Sequence, residues 1–173
     1  MGLMSNKGLQ AFLNKLAVLQ TKVKSEIENK MQFRCAVVFR NLVYQALVSQ
    51  KYASSEAYAA YKGSYPKQKA KRGPDMGFWR YNSDLMRAIN VFKYPLGKKG
   101  WVSGVPLGSV NSDGRDITKY GLLMEYGSVA IGDSSRVQAP RALWKPTTND
   151  FAKKEHIKIG LQSLRNIATT WRS

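Results

Sequence analysis

Residues 8–50 read GLQAFLNKLAVLQTKVKSEIENKMQFRCAVVFRNLVYQALVSQ, and the fold turns on how that stretch is read. Neither Pro nor Gly interrupts the chain between Gly8 and Gly63, so no residue there is chemically unsuited to a helix interior. Apolar side chains recur at Leu9, Phe12, Leu13, Leu16, Leu19, Val23, Ile27 and Met31. Spacings of three and four place them on one stripe. Cys35, Val38, Leu42, Ala46 and Val48 continue the stripe, and Lys15, Lys22, Lys24, Glu26, Glu28 and Lys30 take the other face. The pattern predicts one long helix, or two in series, over residues 1–50. Positions 8–50 would then reach about 60 Å. A compact domain of this size is shorter, so part of the stripe is expected to meet something outside its own chain.

The remaining chain is read against that helix. At 173 residues and 43% hydrophobic content, one domain with a real core is expected over 1–173. Residues 51–82 carry Tyr52, Tyr58, Tyr61 and Tyr65, then Lys67, Lys69, Lys71 and Arg72 between Pro66 and the pair Gly73-Pro74. This is either a solvated loop or an arm whose aromatics stack bases and whose cations hold phosphate. Residues 83–146 predict a short helix, Asp84 to Ile89, capped by Asn82 or Ser83, then β structure. Val91–Tyr94 and Trp101–Val105 flank a turn at Gly97–Gly100, and 106–116 is a loop. Ile117–Tyr126, with Leu122-Leu123-Met124 apolar and unalternating, is a strand or a helical turn entering one. Residues 147–173 predict a helix with Thr147 and Asp150 in capping-box spacing and Phe151, Ile157, Leu161, Leu164, Ile167 or Ala168, and Trp171 on its apolar face. The expected fold class is α+β: a long N-terminal helix, a small curved antiparallel sheet with an inserted short helix, and a C-terminal helix.

Charge constrains the partners. Lys and Arg number 28 against 11 Asp and Glu, a net +17. Residues 1–72 contribute +10, 73–135 only +1, and 136–173 another +6. Basic ends around a neutral middle suit nucleic acid or acidic protein surfaces. No apolar run is longer than five residues, Cys35 to Phe39 being one, whereas a membrane-spanning helix needs about 20. The first residues show no secretory leader, and Asn6 stands where a myristoylation signal wants Ser or Thr. No membrane partner is expected.

Catalytic chemistry has little to stand on. Phosphate-loop, dinucleotide, zinc-protease and nucleophile-elbow motifs are all missing from the sequence. Cys35 and His156 are the only cysteine and histidine; the first reads as a small buried hydrophobe and the second as a solvated side chain. Asp113 and Asp116 flank Gly114-Arg115 as turn residues would. No enzyme activity, cofactor or metal is expected.

The segment Tyr120-Gly121-Leu122-Leu123-Met124-Glu125-Tyr126-Gly127-Ser128 is followed, after a loop, by Ala139-Pro140-Arg141-Ala142-Leu143-Trp144-Lys145-Pro146. Together they resemble the tail-completion or head–tail joining family of long-tailed bacteriophages, also called putative minor tail component proteins. That family runs an apolar Tyr-rich segment into Glu-aromatic-Gly-Ser/Thr, then an Ala-Arg-Pro-Phe-type link into a last helix. This chain has Ala142 where the link's proline stands, and its aromatic falls one place late, at Trp144. The resemblance spans about 80–170. It implies a structural virion protein at the head–tail junction, assembled in the host cytoplasm as a homo-oligomeric ring, typically a hexamer. Its partners would be other copies of itself, the head connector or adaptor, and the tail tube or tail terminator, with possible contact to DNA in the channel. The interface candidates are Glu125, Tyr126, Gly127, Arg141 and Trp144, with Lys67, Lys69, Lys71 and Arg72 as a basic arm. On chemistry alone, Gly127 ends a strand where a Cβ is resisted. Glu125 is a strand-end surface charge or the partner of a neighbouring subunit's cation. Arg141 is a bidentate ion-pair partner or solvated. A tail-terminator ring and a basic nucleic-acid-binding protein are the alternatives.

Overall fold

The computed structural model describes residues 6–49, 84–94, 100–111, 114–126 and 143–172. The first of these is a single rod. Helix α1 (Asn6–Ser25) passes through a π-helical turn at Glu26–Met31 into α2 (Gln32–Ser49). Ser25 and Gln32 keep right-handed helical dihedrals at the two joins, so the axis is uninterrupted over about 66 Å. The long N-terminal helix is therefore present.

The π turn has one consequence that the stripe did not foretell. A π turn takes up an extra residue, so every position beyond it rotates back by one step. The core face of α2 is accordingly Ala36, Val43, Ala46 and Leu47, with Phe39 packed beside them, and Val48 is exposed. Of the stripe expected through Cys35, Val38, Leu42, Ala46 and Val48, Ala46 is in the core, whereas the buried positions Ala36, Val43 and Leu47 fall one residue beyond Cys35, Leu42 and Ala46.

A short helix α3 (Asp84–Ala88) leads into β1 (Asn90–Lys93), which pairs antiparallel with β2 (Trp101–Gly104). Phe92 sits opposite Val102, and Lys93 opposite Trp101. Tyr94 donates its N–H to the Gly100 carbonyl at 3.0 Å, extending the ladder towards the turn. Gly100 has φ +136°, and a Cβ there would stand 3.0 Å from Gln32 Oε1; no other residue suits that corner. Among the described residues the sheet has two strands, and α3 precedes it rather than interrupting it.

Ile117–Tyr126 is helix α4, not a strand. Asp116 starts it: one carboxylate oxygen accepts the Thr118 and Lys119 N–H groups at 2.8 and 3.2 Å. That N-cap, which read as a turn residue in the sequence, commits the unalternating apolar run to a helix. The last rod joins α5 (Trp144–Asp150), a π turn at Phe151–Glu155, and α6 (His156–Arg172). It begins three residues earlier than expected, because the capping box is not used. The Thr147 hydroxyl instead bonds back to the Leu143 carbonyl at 2.6 Å, inside the first turn.

The core joins Val43, Ala46 and Leu47 of α2 to Leu85, Met86 and Ile89, Ile117 and Leu143. Each fully buried aliphatic contributes about 1.5–3 kcal/mol relative to exposure. The two rods run antiparallel: Phe39 lies 5.7 Å edge-on from Phe151, Met31 meets Gly160, and Glu26 reaches Asn166. The one-residue displacement is testable. Leu47→Ala should cost about 2–5 kcal/mol in urea unfolding, while Val48→Ala should stay within about 0.5 kcal/mol. Equal effects would mean the stripe continues in its undisplaced phase.

Candidate assembly interface

Glu125 lies in the last turn of α4 and is only 8% exposed. Its carboxylate accepts three backbone N–H groups: Leu143 at 2.6 Å and Trp144 at 3.0 Å on Oε2, and Lys145 at 3.1 Å on Oε1. The next residue is Pro146, which has no N–H to offer. A helix start leaves four such groups without intrahelical partners. Here three are taken by one carboxylate and the fourth does not exist. A negative group at this end also complements the helix dipole. Glu125 is thus not a strand-end surface charge. It is an internal clamp that fixes where the second rod begins.

The other candidates divide sharply. Tyr126, next to Glu125, is 76% exposed. Trp144 is half-buried, its ring stacked 6.3 Å from Phe39 against the core. Gly127, Arg141 and the arm residues Lys67, Lys69, Lys71 and Arg72 lie outside the described residues. So does the expected cap at Asn82 or Ser83. Cys35 is half-buried, and burial pushes its thiol pKa up. His156 is exposed, its ring centroid 6.0 Å from that of Phe151. Among the described residues, no three His, Cys, Asp or Glu side chains group as metal ligands do. No described helix is long and apolar enough to cross a membrane.

A second buried carboxylate went unforeseen. Glu26 was placed on the solvated face, yet it is 6% exposed at the start of the π turn. Its Oε1 accepts the Asn166 amide at 3.0 Å and Arg34 Nη1 at 3.2 Å, and Lys30 Nζ lies 3.4 Å from Oε2. Asn166 reaches it from the opposite rod, so this cluster ties α1 to α6. The sequence did hold a signal: counted as a heptad from Leu9, the seam runs Leu9, Phe12, Leu16, Leu19, Val23, Glu26. A carboxylate in an apolar seam has to find partners.

No protein-family model, characterised protein sequence or solved structure matches this chain.

The two carboxylates give separate predictions. Glu125→Ala leaves three backbone donors, one buried and two part-buried, without a partner, and should cost about 1–3 kcal/mol in chemical unfolding; a loss below about 0.5 kcal/mol would contradict the clamp. For Glu26, the Asn166 hydrogen bond leads the Lys30 and Arg34 contributions in holding its pKa below the ordinary 4.5, against the opposing effect of burial. A depressed folded-state pKa contributes stability above the unfolded value, and that stability is lost as pH falls through the folded value. Urea midpoints of the native chain and Glu26→Gln should therefore differ at pH 7 and converge only as pH falls through the depressed folded-state value. A gap that persists at low pH would refute the charge-based account.

Proposed function

We propose that this chain is a structural virion protein of a long-tailed bacteriophage neck, a subunit whose copies close into a ring, six being the typical number, between the head connector and the tail tube. No bond is made or broken in this role. One observation carries most weight in its favour: among the described residues the sheet has two strands, and neither outer edge is covered by another strand. Packing on α2, where the Phe33 and Trp101 rings lie 4.7 Å apart, supports one face of the strands, but an open edge is still a template for pairing. Edge-to-edge addition of identical copies, closing head to tail, satisfies the backbone without leaving an end.

The motif residues that carry the family resemblance support the same reading in a structural sense. Glu125 and the Leu143–Lys145 segment hold one another, so the resemblance falls on residues with a demonstrable packing role. The +17 charge then serves docking to acidic patches on neighbouring rings or to DNA in the channel. A tail-terminator ring capping the tube has the same requirements, and the position of the protein in assembled particles separates the two. A basic nucleic-acid-binding protein is the alternative of a different class.

Light scattering and electron microscopy of the purified chain, alone and with a tail-tube subunit, test the proposal. The expected product is a closed ring, with a mass of about six times the 19.4 kDa chain, whose docking weakens with added salt. A persistent monomer that binds free duplex with a steep salt dependence would replace this reading with the nucleic-acid one.

A further inference from the structure

Among the described residues, the seam on α1 runs on past the rod that fills it. With Glu26 beside Asn166 and Met31 beside Gly160, antiparallel progression brings Arg172, the last residue of α6, level with about position 20 of α1. About 20 Å of α1 then extends past that point. The seam does not stop there. Leu19 and Val23 are half-buried, whereas Leu16, Phe12 and Leu9 are 38%, 46% and 47% exposed. Strict three–four spacing is retained throughout, with Leu9, Leu16 and Val23 at a and Phe12, Leu19 and Glu26 at d. Leu13, at e and 48% exposed, broadens the apolar sector beside the seam, so spacing alone suits either another helix or a lipid surface and charge has to choose between them.

Charge narrows the choice of helix. Both g positions beside this seam are lysine, Lys15 and Lys22, and residues 1–25 contain no Asp or Glu at all. Flanking charges at these positions select the partner. A second copy laid antiparallel on the seam would oppose lysine with lysine. We infer that the projecting end of α1 is a docking site for an acidic amphipathic helix of a different protein, which continues the seam collinearly with α6. This inference rests on the rod alone, and holds whether or not the subunits close into a ring.

The test uses the full chain and two synthetic helical peptides of about three heptads, each with Leu at a and d. One carries Glu at its flanking positions and the other Lys. Fluorescence anisotropy should show saturable binding of the Glu peptide and at least tenfold weaker binding of the Lys peptide. Phe12→Gln/Leu16→Gln should weaken Glu-peptide binding at least tenfold while circular dichroism stays native, since both side chains are exposed already. Lys15→Glu/Lys22→Glu keeps the apolar seam and should invert the preference between the peptides. Three results would overturn the proposal: equal affinity for both peptides, binding to phosphatidylglycerol vesicles in place of the peptide, or self-association of the chain that Phe12→Gln/Leu16→Gln abolishes.

Discussion

One carboxylate decides where the second half of the molecule begins. Glu125 gathers the N–H groups of Leu143, Trp144 and Lys145, and those contacts set three things together. They end the search for partners at a helix start, which Pro146 has already shortened by one donor. They bring the last turn of α4 against the start of α5, placing Leu143 in the core with Val43, Leu47 and Ile89. They also fix the origin of a rod that must run back antiparallel along α2 and α1. Replacing the clamp with an ordinary local cap would satisfy the same groups, but would leave the rod free to start elsewhere relative to α4.

From that origin the rods need a common register, and Glu26 supplies it. Apolar seams tolerate slippage by a heptad because one leucine substitutes for another. A buried carboxylate does not, because moving it away from Asn166 leaves a charge without its non-local partner. The neighbouring cations contribute less: Lys30 is mostly exposed, and an exposed pair four residues apart is worth about 0.5 kcal/mol or less. The π turn beginning at Glu26 adds a residue where the partner of the rod changes. Upstream it faces α6; downstream α2 carries the sheet and the core. A displacement of one residue re-aims the apolar face between these two tasks without bending the axis.

What could be read in the sequence follows from how local each cause is. The N-terminal rod was legible because forty consecutive residues share one period and contain no breaker. The hairpin was legible because Val91–Phe92 and Trp101–Val102 have strand character and Gly100 marks the turn. The short helix at Asp84 announced itself by its first-turn acid. The errors share a different origin. Ile117–Tyr126 read as a strand or a helical turn entering one because its apolar run does not alternate, and its helicity over the whole segment depends on Asp116 reaching forward to two N–H groups. Glu125 looked like a surface charge because its donors lie eighteen to twenty residues on. Of the apolar face expected in the last helix, Phe151 packs against Phe39, but Ile157, Leu161 and Leu164 are exposed and Ser163 is buried. Periodicity shows that a helix has two faces; which one is covered depends on the clamp and the register, and neither is local.

The same reasoning bears on why the chain is so basic and so unevenly exposed. Two sets of groups are left unfulfilled within the described fold: the edges of a two-stranded sheet, and apolar seams beyond the reach of their partner helices. Either alone invites indiscriminate association. Lysines at the flanking positions of α1, with no acid among the first 25 residues, make the approach of an identical rod electrostatically unfavourable while leaving an acidic one favoured. The strands carry no comparable bar, since the middle of the chain is close to neutral. On the readings proposed above, the two open surfaces would take different occupants: like copies at the sheet, and an unlike, acidic helix at the rod.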